Sequence, residues 1–119
     1  MKYVDGFVLP VPKKNLRAYT ALSKKAGKVF REHGAVEYIE CAGDDLDVKC
    51  GMPFPKQIKP KRGETVVFSY IVYKSRKHRD QVNAKVMKDK RLASMMEMKS
   101  MPFDVKRMCY GGFKSIVEA

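Results

Sequence analysis

A few side chains in this sequence could do chemistry. His33 is one of two imidazoles, the other being His78, and an imidazole exchanges protons near neutral pH. Asp5 interrupts an apolar run, Tyr3-Val4-Asp5-Gly6-Phe7-Val8-Leu9; a carboxylate buried there would have a raised pKa unless it found a partner. Arg79 and Asn83 stand four residues apart, so on a helix they share a face beside Val82 and Val86. An inward guanidinium can hold an anionic or carbonyl group in fixed orientation. Tyr38, Glu40, Tyr70 and Tyr110 add phenols and one carboxylate. Together these residues suit proton transfer and ligand orientation without a metal, with His33 and Asp5 as catalytic candidates and Tyr38, Arg79, Asn83, Tyr70 and Tyr110 as ligand-binding ones. Each also has a plainer role: a helix-terminal histidine for His33, an edge or interface carboxylate for Asp5, a rim pair for Arg79 and Asn83, and ordinary strand packing for the tyrosines.

Metal and cofactor chemistry has little to work with. Two histidines cannot make a three-histidine site, and Cys41, Cys50 and Cys109 lack Cys-x-x-Cys spacing. Asp44, Asp45 and Asp47 lack the glycine and closing glutamate of a calcium loop; they read as turn residues. Met95, Met96, Met98 and Met101 look sulfur-rich, but beside Leu92 and Ala93 they suit core or interface packing. No catalytic triad, phosphate loop or dinucleotide fingerprint is present, and no cofactor is expected.

The elements that must position these groups follow from hydrophobic periodicity. Tyr3 to Leu9 reads as a strand stopped by Pro10 and Pro12. From Leu16 the apolar residues Tyr19, Leu22, Ala26, Val29 and Phe30 recur at three- and four-residue steps, predicting a helix that ends near Gly34 and carries His33 on its apolar arc. Val36–Ala42 and Glu64–Tyr73 read as strands. Ser75 is placed to cap a helix reaching about Asp89, a shorter helix covers Leu92–Met98, and Arg107–Val117 makes the last strand. The order is β-α-β-β-α-β over a single domain, residues 1–119: an α+β, ferredoxin-like arrangement with an antiparallel sheet. The Gly43–Gly63 connection is long for neighbouring elements, fitting either a lid or an arm that clasps a second subunit.

The strand Glu64–Tyr73 has apolar groups on both sides, whereas two helices cover one sheet face. The other face therefore needs a cover, and a second copy of the sheet would supply it. A homodimer is expected. The chain's formal charge of +12 raises the prospect of polyanion binding. Arg17, Lys24, Lys25, Lys28 and Arg31 cluster opposite the apolar stripe of the first helix, however, as a solvated face would. Gly6–Val11 is too short for a signal peptide, and no run approaches the ~20 apolar residues of a spanning helix; a cytoplasmic protein without membrane contact is expected.

Several stretches are specific enough to suggest kinship: Tyr-Val-Asp-Gly-Phe-Val-Leu-Pro-Val-Pro from Tyr3, Arg-Glu-His-Gly-Ala from Arg31, and Val-Val-Phe-Ser-Tyr-Ile-Val-Tyr-Lys-Ser-Arg from Val66. His-Arg-Asp-Gln-Val-Asn-Ala-Lys-Val-Met from His78 and Met-Pro-Phe-Asp-Val-Lys-Arg-Met-Cys-Tyr-Gly-Gly-Phe from Met101 complete them. Over nearly its whole length the chain resembles the YbaA-like family of small bacterial proteins, a domain of unknown function. The resemblance implies a dimeric α/β barrel, in a superfamily that includes cofactor-free monooxygenases, haem proteins and small isomerases; it implies no established activity.

Two functions from different classes follow. One is a pocket for an unknown small molecule between the helices and the sheet of each protomer, with catalysis left open. The other is nucleic-acid binding by the basic helix face, suggested by the charge and by the outline of RNA-recognition modules, in which Phe68 and Tyr70 would stack bases. The apolar neighbours Val66 and Val72 and the absence of a Gly-aromatic-Gly pattern weigh against a wet RNA surface, so such binding is expected to be weak and non-specific.

Overall fold

The computed structural model describes residues 1–95, 97 and 101–119. Strands β1 (Tyr3–Pro12), β2 (Glu37–Ala42), β3 (Glu64–Tyr73) and β4 (Cys109–Lys114) form one four-stranded antiparallel sheet in the order β2-β3-β1-β4. Helices α1 (Leu16–Glu32), α3 (Arg76–Met87) and α4 (Lys90–Met95) contribute to its cover, while α2 (Phe54–Ile58) lies in the long connection before β3. The chain is thus mixed α+β. Among the described residues no helix is long and apolar enough to cross a membrane.

β1 runs through both prolines rather than stopping before them. Lys13 N–H donates to Gly63 O on the β3 side, and alternate residues of a strand face alternate neighbours. Pro10 and Pro12 therefore turn their missing donors toward β4, whose pairing ends at Val8, and an unpaired edge tolerates proline. α1 ends one residue before His33, and Gly34 takes a positive φ of 115° to turn into β2. Ser75 caps α3 as its type predicts, accepting from His78 N–H. α4 begins earlier than its apolar residues alone suggest; the expected end at Met98, and with it Met96, lies outside the described residues.

Residues opposite one another in an antiparallel pair share a face. Asp5, Phe7, Leu9, Val67, Ser69, Ile71, Tyr38 and Glu40 consequently line the side of the sheet that meets α1. The core on that side has two centres. Val29, Ile71, Tyr73, Val82, Val86 and Leu92 form one beneath α1, α3 and α4; Leu9, Val11, Tyr19 and Val67 form the other, with Phe103 and Met108 against it.

The opposite face carries Val8, Val66, Phe68, Tyr70, Val72 and Phe113. The long connection covers part of it: Gly43 N–H donates to Val66 O, and the Phe54 ring meets Phe68 with centroids 6.4 Å apart. Part of the cover expected from a second copy is therefore supplied within the chain. Phe68 stays 44% exposed and Phe113 64% exposed.

A candidate cavity between sheet and helices

Between the sheet and α1, closed laterally by α4 and residues 101–108, lies a cavity of about 310 Å³. Its wall is mostly apolar, with Phe7, Leu22, Phe30, Val86 and Phe103 among its side chains. Two rows across the sheet place its polar groups: Glu40, Ser69, Phe7 and Tyr110 in one, and Tyr38, Ile71, Asp5 and Gly112 in the next.

At the β2 end, Glu40 accepts hydrogen bonds from two phenols. Tyr19, on α1, donates to Oε1 at 2.6 Å and Tyr38 to Oε2 at 2.8 Å. Burial, reinforced by this carboxylate, holds both phenols far above their ordinary pKa. The arrangement depends on Gly27 of α1, where a Cβ atom would come within 2.7 Å of the Tyr38 ring.

The β1 end is built around Asp5, which is 2% exposed. Its Oδ1 lies 3.8 Å from Arg79 Nε, an ion-pair distance too long for a hydrogen bond, and neither atom has another hydrogen-bond partner. Burial raises the Asp5 pKa, and the Arg79 charge offsets only part of that rise. Arg79 itself lies over the Tyr3 ring, 4.9 Å from its centroid, and donates from Nη2 to the Tyr3 hydroxyl at 3.2 Å. Nearby, Tyr73 donates to Asn83 Oδ1 at 3.3 Å, and its phenol too is raised by burial.

The candidate residues divide accordingly. Asp5, Tyr38, Asn83 and Tyr110 line the cavity, Tyr110 stacked on Phe7 with centroids 4.8 Å apart. Arg79 stands behind Asp5 rather than in the wall. Tyr70 borders the cavity, but its register position belongs to the opposite face, where its ring lies 6.0 Å from Phe68.

His33 does not line the cavity, contrary to its place on the helical wheel. It occupies the C-cap, where the backbone has left the helix and the wheel no longer gives side-chain direction. Its Nε2 lies 2.8 Å from Asp89 Oδ2, and Arg91 also binds Asp89 while reaching Glu32 at 2.8 Å. His33 thus ties the end of α1 to the α3–α4 junction. The bond from Arg91, then that from His33, holds the Asp89 carboxyl well below the usual carboxylate range.

Sequence reasoning left Tyr19, Ser23 and Ser69 out of the candidate set and did not select Glu40 from among the strand residues it noted. The signal was present: Tyr38 and Glu40 alternate onto one strand face, Tyr19 and Ser23 are four apart on α1, and Ser69 is the one hydroxyl between Val66 and Ile71 apart from Tyr70. Among the described residues no group of three or more His, Cys, Asp or Glu could hold a metal ion.

The family model described as "Protein of unknown function (DUF1428)" matches residues 2–105. The chain belongs to the DUF1428 family. Within curated proteins it is 45% identical over 118 residues to the "Uncharacterized protein YbaA" of Escherichia coli K12, covering 99% of each chain, and matches the Shigella flexneri protein of that name equally. The DUF1428 match spans Asp5, Tyr19, Tyr38, Glu40 and Asn83; Tyr110 lies beyond it.

Proposed function

We propose that this DUF1428 protein binds a small, largely apolar molecule in the cavity between sheet and helices, as a homodimer of ferredoxin-like subunits forming a dimeric α/β barrel. The observation that carries the reading is the cavity itself: about 310 Å³ of apolar space with a buried carboxylate, Asp5, whose Oδ1 has no hydrogen-bond partner. Ligand sites are typically concave, apolar and provided with a few polar groups that fix orientation. A perturbed carboxyl within such a site is also a candidate acid or base, so any proton transfer here falls to Asp5, and His33 is left a structural role. Support for the subunit fold comes from the strand order β2-β3-β1-β4, and for pairing from the aromatic side chains exposed on the opposite sheet face.

Methionine methyl groups provide the test, because Met87, Met95, Met101 and Met108 line the cavity, Met87 from its solvent-exposed rim, while Met1 and Met52 are exposed elsewhere. In ¹³C-methyl-methionine-labelled protein, screening with small neutral alkyl and aryl compounds is expected to shift the four cavity signals and leave Met1 and Met52 in place. A library that moves none of the four, or moves all methionines alike, would remove the basis for a binding pocket.

A further inference from the structure

The protein carries 25 lysines and arginines against 13 acidic residues, yet among the described residues no lysine, arginine or histidine lines the cavity. Its charged lining residues are Asp5 and Glu40. The polarity of the interior is therefore opposite to that of the molecule.

The two carboxylates are not equivalent. Asp5 has Arg79 behind it. Glu40 is held by the phenols of Tyr19 and Tyr38, but among the described residues no ion pair reaches it. Lys24 borders the adjoining hollow beyond Glu40 without pairing to it. Each Glu40 oxygen already accepts one phenol and retains capacity for another donor. What this end of the cavity lacks is a cation.

Resting on the binding function proposed above, we infer that the ligand is a hydrophobic amine, its ammonium group against Glu40 and its apolar body among Phe7, Leu22, Phe30 and Phe103. An ammonium supplies three donors and the missing counter-charge. A carboxylate or phosphate would instead place negative charge beside Glu40 with no cation on the wall to receive it. An alcohol could donate to Glu40 but would leave its charge uncompensated.

Octylamine, octan-1-ol and octanoate share an eight-carbon length and differ in the head group, so they isolate this choice. The expected order at pH 7, followed through the Met87, Met95, Met101 and Met108 methyl signals, is octylamine first, at least tenfold tighter than octan-1-ol, with octanoate weakest. The surface supplies a built-in control: attraction to a molecule of net charge +12 favours the anion, the reverse of the expected order. Glu40→Gln should remove most of the preference for octylamine over octan-1-ol. If octan-1-ol or octanoate binds as well as octylamine, the pocket stands and the amine assignment is overturned. If the preference survives in a folded Glu40→Gln protein, Glu40 is not its source and the assignment also fails. If none of the three compounds moves the cavity methyls, both the amine assignment and the pocket reading for these ligands fail. The wild-type ranking decides the matter even if Glu40→Gln does not fold.

Discussion

A carboxylate at the position of Asp5 stands between two opposing influences. Removal from water favours the neutral acid; the nearby Arg79 guanidinium favours the anion. The balance lies with burial, so the folded protein holds the Asp5 proton above the ordinary carboxyl pKa of 3.8. A group that binds its proton more tightly when folded stabilises the fold at low pH, and that contribution is lost as pH rises through the folded pKa. Asp5→Asn abolishes the titration while nearly preserving shape. The melting-temperature difference, variant minus wild type, is therefore expected to increase between pH 3 and pH 7. A flat or falling difference would mean that the Arg79 pair outweighs desolvation. Asp5 and Asn83 were legible as cavity residues because strand alternation and helix spacing fix their faces. His33 was not, because one residue of helix termination rotates a side chain out of the wheel. Glu40 shares a strand face with Tyr38, as alternation shows, but its second phenol comes from Tyr19, twenty-one residues away, which no local pattern contains.

At the scale of elements, α1 and β2 are matched through a glycine. In an open helix surface, replacing glycine by alanine gains up to about 1 kcal/mol. Gly27 is buried against Tyr38, where the added methyl would lie 2.7 Å and 3.0 Å from two ring carbons. Overpacking of that kind costs about 1–3 kcal/mol, enough to reverse the sign. Gly27→Ala is expected to lower the urea midpoint, with a net loss of about 1 kcal/mol, and to displace the Tyr38 phenol from Glu40; a higher midpoint would show that the helix can move away without cost. The periods of α1 and β3 were readable because each repeats over ten or more residues. α2 was not, since five residues with Pro55 near the start carry no repeat. Its position depends on Phe54 meeting Phe68, a tertiary contact. The extent of β1 was likewise decided by where β4 stops rather than by Pro10 and Pro12 themselves.

For the whole molecule, the open face of the sheet and the positive charge make competing claims. Arg17, Lys24, Lys25, Lys28 and Arg31 are all exposed along α1, on the helical side of the sheet and away from Phe68, Tyr70 and Phe113. Base stacking and phosphate attraction would thus be asked of opposite sides of one protomer, which favours protein pairing for the aromatic face and weak, salt-sensitive polyanion contact for the helix. Toward the β4 edge of the open face Gly6 opposes Gly111, and the Phe113 ring lies over both. Four strands at ~4.8 Å spacing and six residues of ~3.4 Å give roughly 400 Å² per protomer in projection, whereas a standard interface buries about 800 Å² a side. The sheet alone is small for a stable dimer. Exposed Phe54, Ile116 and Val117 would have to extend it, the last two on a tail joined to Lys2, just before β1, by the Ser115 N–H bond to Lys2 O. Light scattering at micromolar concentration is expected to give twice the 13.6 kDa protomer mass. Phe68→Asp should yield a monomer with an unchanged far-ultraviolet spectrum, and removal of residues 116–119 should weaken association at least tenfold. A wild-type monomer would overturn the paired sheet. A dimer indifferent to Phe68→Asp would move the interface to another face.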